Sequence, residues 1–208
     1  MSDNSYRFHQ LPNSPPTAAD VQQYKEFRLL SLKTDPKAYS STYEGEGAFT
    51  DQQWFERLRS DSKGTIVATL ERPGEITEEW AGMITVLSPQ LTDFTDYIPS
   101  KLKEKRGVES VYIVVGMWVH PEHRRRGVAG QLIEQAVHWV RNRRRDREEG
   151  GGGTLLLEVV KSNDGAASMY TRSRFEEVNR EGTSSDKEST FMYLDVNGLT
   201  SEKVCDNL

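Results

Sequence analysis

Apolar positions along the chain fall into two kinds of pattern. One run is almost unbroken: Val111-Tyr112-Ile113-Val114-Val115-Gly116-Met117-Trp118-Val119. It is β-branched and free of charge, which predicts a strand covered on both faces. Pro121 stops it, because proline cannot donate to a sheet ladder. After a polar turn, apolar residues return at Val128, Leu132, Ile133, Ala136, Val137 and Val140. That spacing predicts one buried stripe on a long helix running through Gln131 to Val140.

The same patterns divide the rest of the chain. Tyr6 to Leu11 predicts a short first strand, ended by Pro12, Pro15 and Pro16. Thr17 with Asp20 three residues on marks a helix start. Val21, Tyr24, Phe27, Leu29, Leu30 and Leu32 make that helix mostly amphipathic, and Asp35-Pro36 breaks it. Tyr39 to Ala48 reads as a polar loop. Thr50 caps a second helix, Asp51 to Arg59, with Trp54, Phe55 and Leu58 facing inward. Thr65 to Leu70 and Trp80 to Leu87 predict an antiparallel pair joined by a turn at Arg72-Pro73-Gly74.

Ser88 to Ser110 is long for a connection between neighbouring strands, and reads either as a cover over a binding pocket or as a short exposed helix without function. Thr154 to Val160 predicts another buried strand. Asn163 caps a helix from about Asp164 to Arg174. Phe175 to Arg180 and Thr190 to Val196 predict a final hairpin around a polar loop. Residues 197–208 read as a loose tail after a single domain, 1–196.

Composition narrows the class. The chain has 208 residues, 35% hydrophobic and 28% charged, enough for one full core under a polar surface. The net charge of −5 argues against general nucleic-acid binding. Arginines at 141, 143, 144, 145 and 147 form a basic run, but it lacks interleaved aromatics and is followed at once by acids. It reads as a solvated helix end placed at the negative pole of the dipole. The one cysteine, Cys205, excludes an internal disulfide and a cysteine metal cluster. His120 and His123 are too few for a metal site. Nothing in the sequence resembles a leader or a membrane span. The expected compartment is therefore the cytoplasm, with the nucleus open.

The turn between strand and long helix carries candidate chemistry. It contains Arg124, Arg125, Arg126, Gly127, Val128, Ala129 and Gly130. A helix start leaves four backbone N–H groups unpartnered, and the macrodipole adds partial positive charge there. Gly127 admits a ligand close to the backbone, and Ala129 keeps the surface small. The turn suits a phosphate or pyrophosphate; the alternative is an ordinary strand–turn–helix with a solvated basic loop. The Gly-Lys-Ser/Thr ending of a nucleotide-binding P-loop is absent.

Two stretches carry a family resemblance. Arg124-x-x-Gly127-x-Ala129 resembles the Arg/Gln-x-x-Gly-x-Gly/Ala signature of the GCN5-related N-acetyltransferase (GNAT) superfamily. Asn163, Ala166, Tyr170 and Phe175 match its later pattern Asn-x-x-Ala-x-x-x-Tyr-x-x-x-Gly-Phe. Arg174 stands where that pattern has glycine. If the position needs a positive φ, arginine should strain it by about 1 kcal/mol.

The resemblance implies an α/β fold: a mixed, mostly antiparallel sheet of six to seven strands, splayed between the fourth and fifth, with about four flanking helices. It implies acetyl-CoA as co-substrate, its pyrophosphate on Arg124 to Gly130 and its pantetheine arm along Met117, Trp118 and Val119. Asn163 and Ala166 would border the same arm, and Gly116 is where the required bulge belongs.

In catalysis, the resemblance implies that a backbone N–H near Val119 stabilises the oxyanion and that Tyr170 protonates the leaving thiolate. A lysine-like amine is neutral in only about one molecule in 2,500 at pH 7, so a base must help. The family's glutamate position falls on Ile113. Glu109, Tyr112, His120, Asp93 and Glu158 are substitutes, and none stands out. The segment between the first two helices borders the acceptor, where Glu44 and Glu46 would attract a cation or else be solvated loop charges. The implied activity is acetyl transfer to a primary amine of a small molecule. A protein N-terminal or lysine acceptor and a non-catalytic acyl-CoA-binding module are the alternatives. Neither nucleic acid nor membrane is an expected partner, and the state would be monomer or homodimer.

Overall fold

In the computed structural model of the chain, residues 5–12, 15–72, 78–91, 95–146, 153–178 and 189–197 are described. Strand β1 spans Ser5–Gln10 and helix α1 spans Ala18–Thr34. A capping box starts α1: the Thr17 hydroxyl accepts from the Asp20 N–H at 3.2 Å, and the Asp20 carboxylate accepts from the Thr17 N–H at 3.0 Å. Where the sequence predicts a loop at Tyr39 to Ala48, a one-turn helix forms, α2 at Tyr43–Gly47. Thr42 caps it, accepting from the Gly45 N–H at 3.1 Å. Five residues with two glycines are too short for a periodic stripe, which is why pattern reading misses it. Helix α3, Asp51–Leu58, starts as predicted from a Thr50–Gln53 capping box.

Strands β2 (Lys63–Glu71) and β3 (Glu79–Leu87) precede helix α4 (Ser100–Arg106) and the central strand β4 (Val111–Val119). Helix α5 (Val128–Asp146), strand β5 (Thr154–Val160), helix α6 (Asp164–Arg172), and strands β6 (Glu176–Val178) and β7 (Ser189–Asp195) complete the order. The described residues thus contain six α-helices rather than about four, the additional ones being the short α2 and α4. Pro73 and Gly74 of the expected turn, most of the loop from 181 to 189, and the tail from 198 lie outside the described residues.

The seven strands form one sheet in the order β1-β2-β3-β4-β5-β7-β6. Every pairing is antiparallel except β4 with β5. That parallel pair runs only from Val111↔Thr154 to Ile113↔Leu156 and then parts. Near the parting, Met83 faces Trp118 but Thr85 faces Val115, so one residue of β3 opposes two of β4. Gly116 sits in this bulge with φ 62°, as the sequence predicts.

Alternation along the strands separates two faces. Ile66, Ala68, Ile84 and Val86 pack against Val128, Leu132 and Ala136 of α5. Val67, Met83 and Trp118 pack against Phe27 of α1 and Trp54 and Leu58 of α3. Each fully buried side chain of this size contributes about 1.5–3 kcal/mol. Ile98 and Leu102 pack with Val111, Leu156 and Phe191, so α4 is pinned to the sheet through Leu102 while Ser100, Lys101, Glu104 and Lys105 stay exposed.

The basic run at the end of α5 also differs from a solvated helix end. Arg141 donates twice to the Val196 carbonyl, at 3.1 and 2.6 Å; Arg143 lies 5.2 Å over the Trp139 ring; and Arg144 is buried. Arg141 thus docks the chain just past β7, while Arg145 stays exposed. Arg147 is outside the described residues. No helix among the described residues is long and apolar enough to cross a membrane.

Candidate active site

Where β4 and β5 part, a cavity of ≈ 710 Å³ opens between them. Val115 of the central strand is 39% exposed there, an apolar side chain left uncovered in the middle of the sheet. Met117, Asn163, Ala166 and Tyr170 line the cavity from one side. Tyr24, Arg28, Tyr39, Arg57 and Lys63 line it from the other.

The first group belongs to the α5 side of the sheet. Helix α6 begins at Asn163, whose side-chain oxygen accepts from the Ala166 N–H at 3.1 Å. This cap fixes the helix so that Tyr170, two turns on, meets the splay. The phenol is buried and donates to the Met117 sulfur at 3.2 Å. Burial, and secondarily the neighbouring Tyr39, push its pKa well above the ordinary tyrosine value. Arg174, after the helix, has φ 67°, so the arginine does occupy a left-handed position.

The turn from Arg124 to Gly130 enters α5 at the end of β4. Arg125 and Gly127 both have positive φ, 62° and 78°. The first ladder bond of α5 runs from the Gln131 N–H to the Gly127 carbonyl at 3.2 Å, so the amides of Val128, Ala129 and Gly130 precede the helix's own bonding. A Cβ on Gly127 would meet nothing nearer than Gln131, at 3.9 Å. Arg124 turns inward: its Nε donates to the Val119 carbonyl at 3.0 Å and its Nη2 to Asp35. Trp118 donates to the same Asp35 carboxylate at 2.6 Å, its indole lying on the α1 side of the sheet. Asp35 therefore ties the turn to the end of α1. Of the predicted residues, Met117, Asn163, Ala166 and Tyr170 meet at the cavity; the turn and the Trp118 and Val119 side chains stand beside it.

The opposite wall is backed by a charged cluster whose pairing the sequence does not reveal. Arg28 of α1 is 4% exposed and Glu46 of α2 is 2% exposed. Arg28 donates through Nε at 2.9 Å and Nη2 at 2.7 Å to the Glu46 carboxylate, and Arg57 of α3 donates to it at 3.1 Å. Burial alone would raise the Glu46 carboxyl, but the hydrogen bond and charge of Arg28, aided by Arg57, hold it below the usual carboxylate range. Glu46 is thus occupied by two arginines and does not attract a cationic acceptor. Its burial depends on three helices meeting, and no local pattern encodes that. Capping by Thr42 was the one available signal for α2.

Among the candidate bases, Glu158 lines the cavity, accepting from the Tyr97 hydroxyl at 3.3 Å and from Ser189. Glu109, Tyr112 and His120 are not in its lining, and Asp93 is outside the described residues. Ile113 is buried in the β4–β5 pairing. His123 is held between Tyr6, at 3.0 Å, and Glu79, at 2.9 Å.

A sequence model of the acetyltransferase (GNAT) family matches residues 29–175. No curated protein matches the sequence. Among solved structures the fold is similar to Arabidopsis thaliana NAA60 in complex with acetyl-CoA, with TM-score 0.60 and 17% identity over 93% of this chain and 100% of that one. A GNAT-family acetyltransferase from Streptococcus pneumoniae gives TM-score 0.60 and 17% identity over 92% of this chain and 99% of that one. One from Staphylococcus aureus Mu50 gives 0.59 and 12% over 92% and 99%. At such identities the structural likeness concerns the fold. The match of the family's own sequence pattern to most of the chain carries the assignment, and the chain belongs to the acetyltransferase (GNAT) family, enzymes that use acetyl-CoA as co-substrate.

Proposed function

We propose that this N-acetyltransferase transfers acetyl to the primary amine of a small molecule, by direct attack of the amine on the thioester. The observation that supports the proposal is the cavity at the strand splay, lined by Tyr170, Met117 and Asn163 together with Tyr24, Tyr39 and Arg57.

The residues fit the co-substrate. The amides at the start of α5, with the open space beside Gly127, suit a pyrophosphate. The main chain of β4 from Met117 to Val119 is parted from β5, which suits an extended arm. Asn163 and Ala166 border that arm. Bound there, acetyl-CoA would supply an activated acetyl group.

Tyr170 holds its proton throughout the working pH range, because its pKa is raised. Its present acceptor, a thioether, is weak. A sulfur developing negative charge is a far better one, so the proton is set to move as the carbon–sulfur bond breaks. Glu158 is our assignment for the group that draws the amine proton away. The balance closes: one C–N bond forms and one C–S bond breaks. Of the two protons an ammonium acceptor loses, one ends on sulfur by way of Tyr170 and one in solvent.

A thiol-release assay with acetyl-CoA and a panel of amines tests the activity, and a thermal scan with coenzyme A tests the binding. Release with small amines and a raised melting temperature are expected. Release with peptide or protein acceptors alone would overturn the small-molecule assignment. No thermal shift would overturn the binding site.

A further inference from the structure

Asp35 stands where three parts of the chain meet. It ends α1, its N–H donating to the Ser31 carbonyl at 3.0 Å. Its carboxylate accepts from the Trp118 indole at 2.6 Å and from Arg124 Nη2. Trp118 belongs to β4, and Arg124 to the turn that leads into α5. One carboxylate thus holds the chain on both sides of Val119.

The two arms grip differently. Trp118 is buried and meets Phe27 edge-on at 5.0 Å, so packing fixes its ring and Asp35 takes its N–H. Arg124 reaches back, its Nε donating to the Val119 carbonyl at 3.0 Å. The N–H of that same peptide unit, from His120, donates to the Ala81 carbonyl of β3 at 2.9 Å. The peptide plane after Val119 is therefore pinned at both ends. Nε and Nη2 of Arg124 are spent inward, on main chain and carboxylate, as the planar guanidinium fork allows.

Ladder alternation then sets the neighbouring amide. Residues of an antiparallel pair alternate between hydrogen-bonded and non-hydrogen-bonded partners. His120 bonds to β3, so Val119, opposite Gly82, turns its N–H and carbonyl the other way. That is the edge β5 leaves after Ile113, the edge suited to the co-substrate's arm. A main-chain donor stabilises an oxyanion only when aimed at it, and a misplacement of about 1 Å can cost on the order of a hundredfold in rate. The Asp35–Arg124 pair itself is 31% and 42% exposed, so it adds little to stability. Its larger effect is on direction.

We propose that Asp35 is a positioning residue for acetyl transfer: through Trp118 and Arg124 it fixes the Val119 N–H that donates to the thioester oxygen. Asp35 itself touches no reacting atom. This rests on the acetyl-transfer reading of the same site.

The test compares Asp35→Ala, which removes both arms, with Asp35→Asn, which keeps an acceptor for Trp118 and removes the charge that holds Arg124. With acetyl-CoA and the best amine of the panel, Asp35→Ala should lower kcat about tenfold to a hundredfold, and Asp35→Asn by less. The amine KM and the thermal protection by coenzyme A should stay at the parent values. Infrared spectra of bound acetyl-CoA, carbon-13 labelled at the thioester carbonyl, read the same donor without an acceptor. The carbonyl stretch should fall on binding to the wild type, and Asp35→Ala should reverse most of that fall.

Parent turnover and an unchanged carbonyl stretch in Asp35→Ala would overturn the proposal and leave acetyl transfer standing. So would a loss confined to melting temperature, which is a structural tie alone, or one confined to the KM for acetyl-CoA. If Asp35→Ala does not fold, Asp35→Asn and Arg124→Lys decide by the same two readouts. No thiol release from the wild type with any amine would overturn acetyl transfer, and this role with it.

Discussion

The two walls of the cavity are built differently. The α6 wall is neutral and local: Asn163, Ala166 and Tyr170 lie within eight residues on one helix, positioned by one cap. The α1–α3 wall is charged and assembled: Arg28, Glu46 and Arg57 come from three helices and interlock only after those helices pack. In the proposed reaction the first wall handles a proton and a thioester arm common to the whole family. In the same proposal the second wall faces the acceptor, the part of the reaction that family membership does not specify. Groups that serve shared chemistry can be written as a short motif; groups that serve selectivity are free to be scattered.

Substitutions on each wall sharpen this contrast. Tyr170→Phe should cut kcat by about a hundredfold to ten-thousandfold while leaving the thermal protection by coenzyme A in place. Unchanged turnover would remove Tyr170 as the proton donor. On the other wall, Glu46→Gln should cost stability first, about 3–5 kcal/mol in denaturant titrations, since it leaves two buried arginines without their counter-charge. A variant as stable as the parent would mean that the cluster is not a structural keystone.

The same residue predicts a pH effect. The folded pKa of Glu46 is depressed, so its contribution is complete above the unfolded value of about 4.3 and is lost as pH falls through the folded one. Melting temperature should drop more steeply below about pH 4 in the parent than in Glu46→Gln. Parallel curves would contradict the ion pair.

Smaller effects test the α6 wall. Asn163→Ala should lower stability by about 1 kcal/mol through the lost cap, and should raise the KM for acetyl-CoA. Arg174→Gly should relieve the left-handed strain and gain up to about 1 kcal/mol, the smallest change of the set. A destabilised Arg174→Gly would show that the arginine side chain outweighs its backbone.

Most of the sheet was legible because each long strand and helix carries its own period, and its ends carry prolines and caps. Thr17, Thr50 and Asn163 all cap as the sequence predicts, and Gly116 forms the bulge. The short α2 was not, because five residues give no periodic signal, and α4 was legible only as one of two readings of Ser88 to Ser110. Arg141 and Arg144, near the end of α5, differ from the solvated reading for a related reason: a charge run looks the same whether its stems are covered or bare.

The sequence by itself determined the succession of elements, the splayed sheet's family, the basic turn into α5 and the placing of Tyr170 two turns from its cap. Those depend on residues close along the chain, whose spacing alone fixes their geometry. Tertiary structure decided which acid is buried, which arginine is buried with it, and that Asp35 ties the turn to α1. Such choices hang on contacts between residues such as Asp35 and Arg124, 89 positions apart, whose meeting is set by packing and not by period.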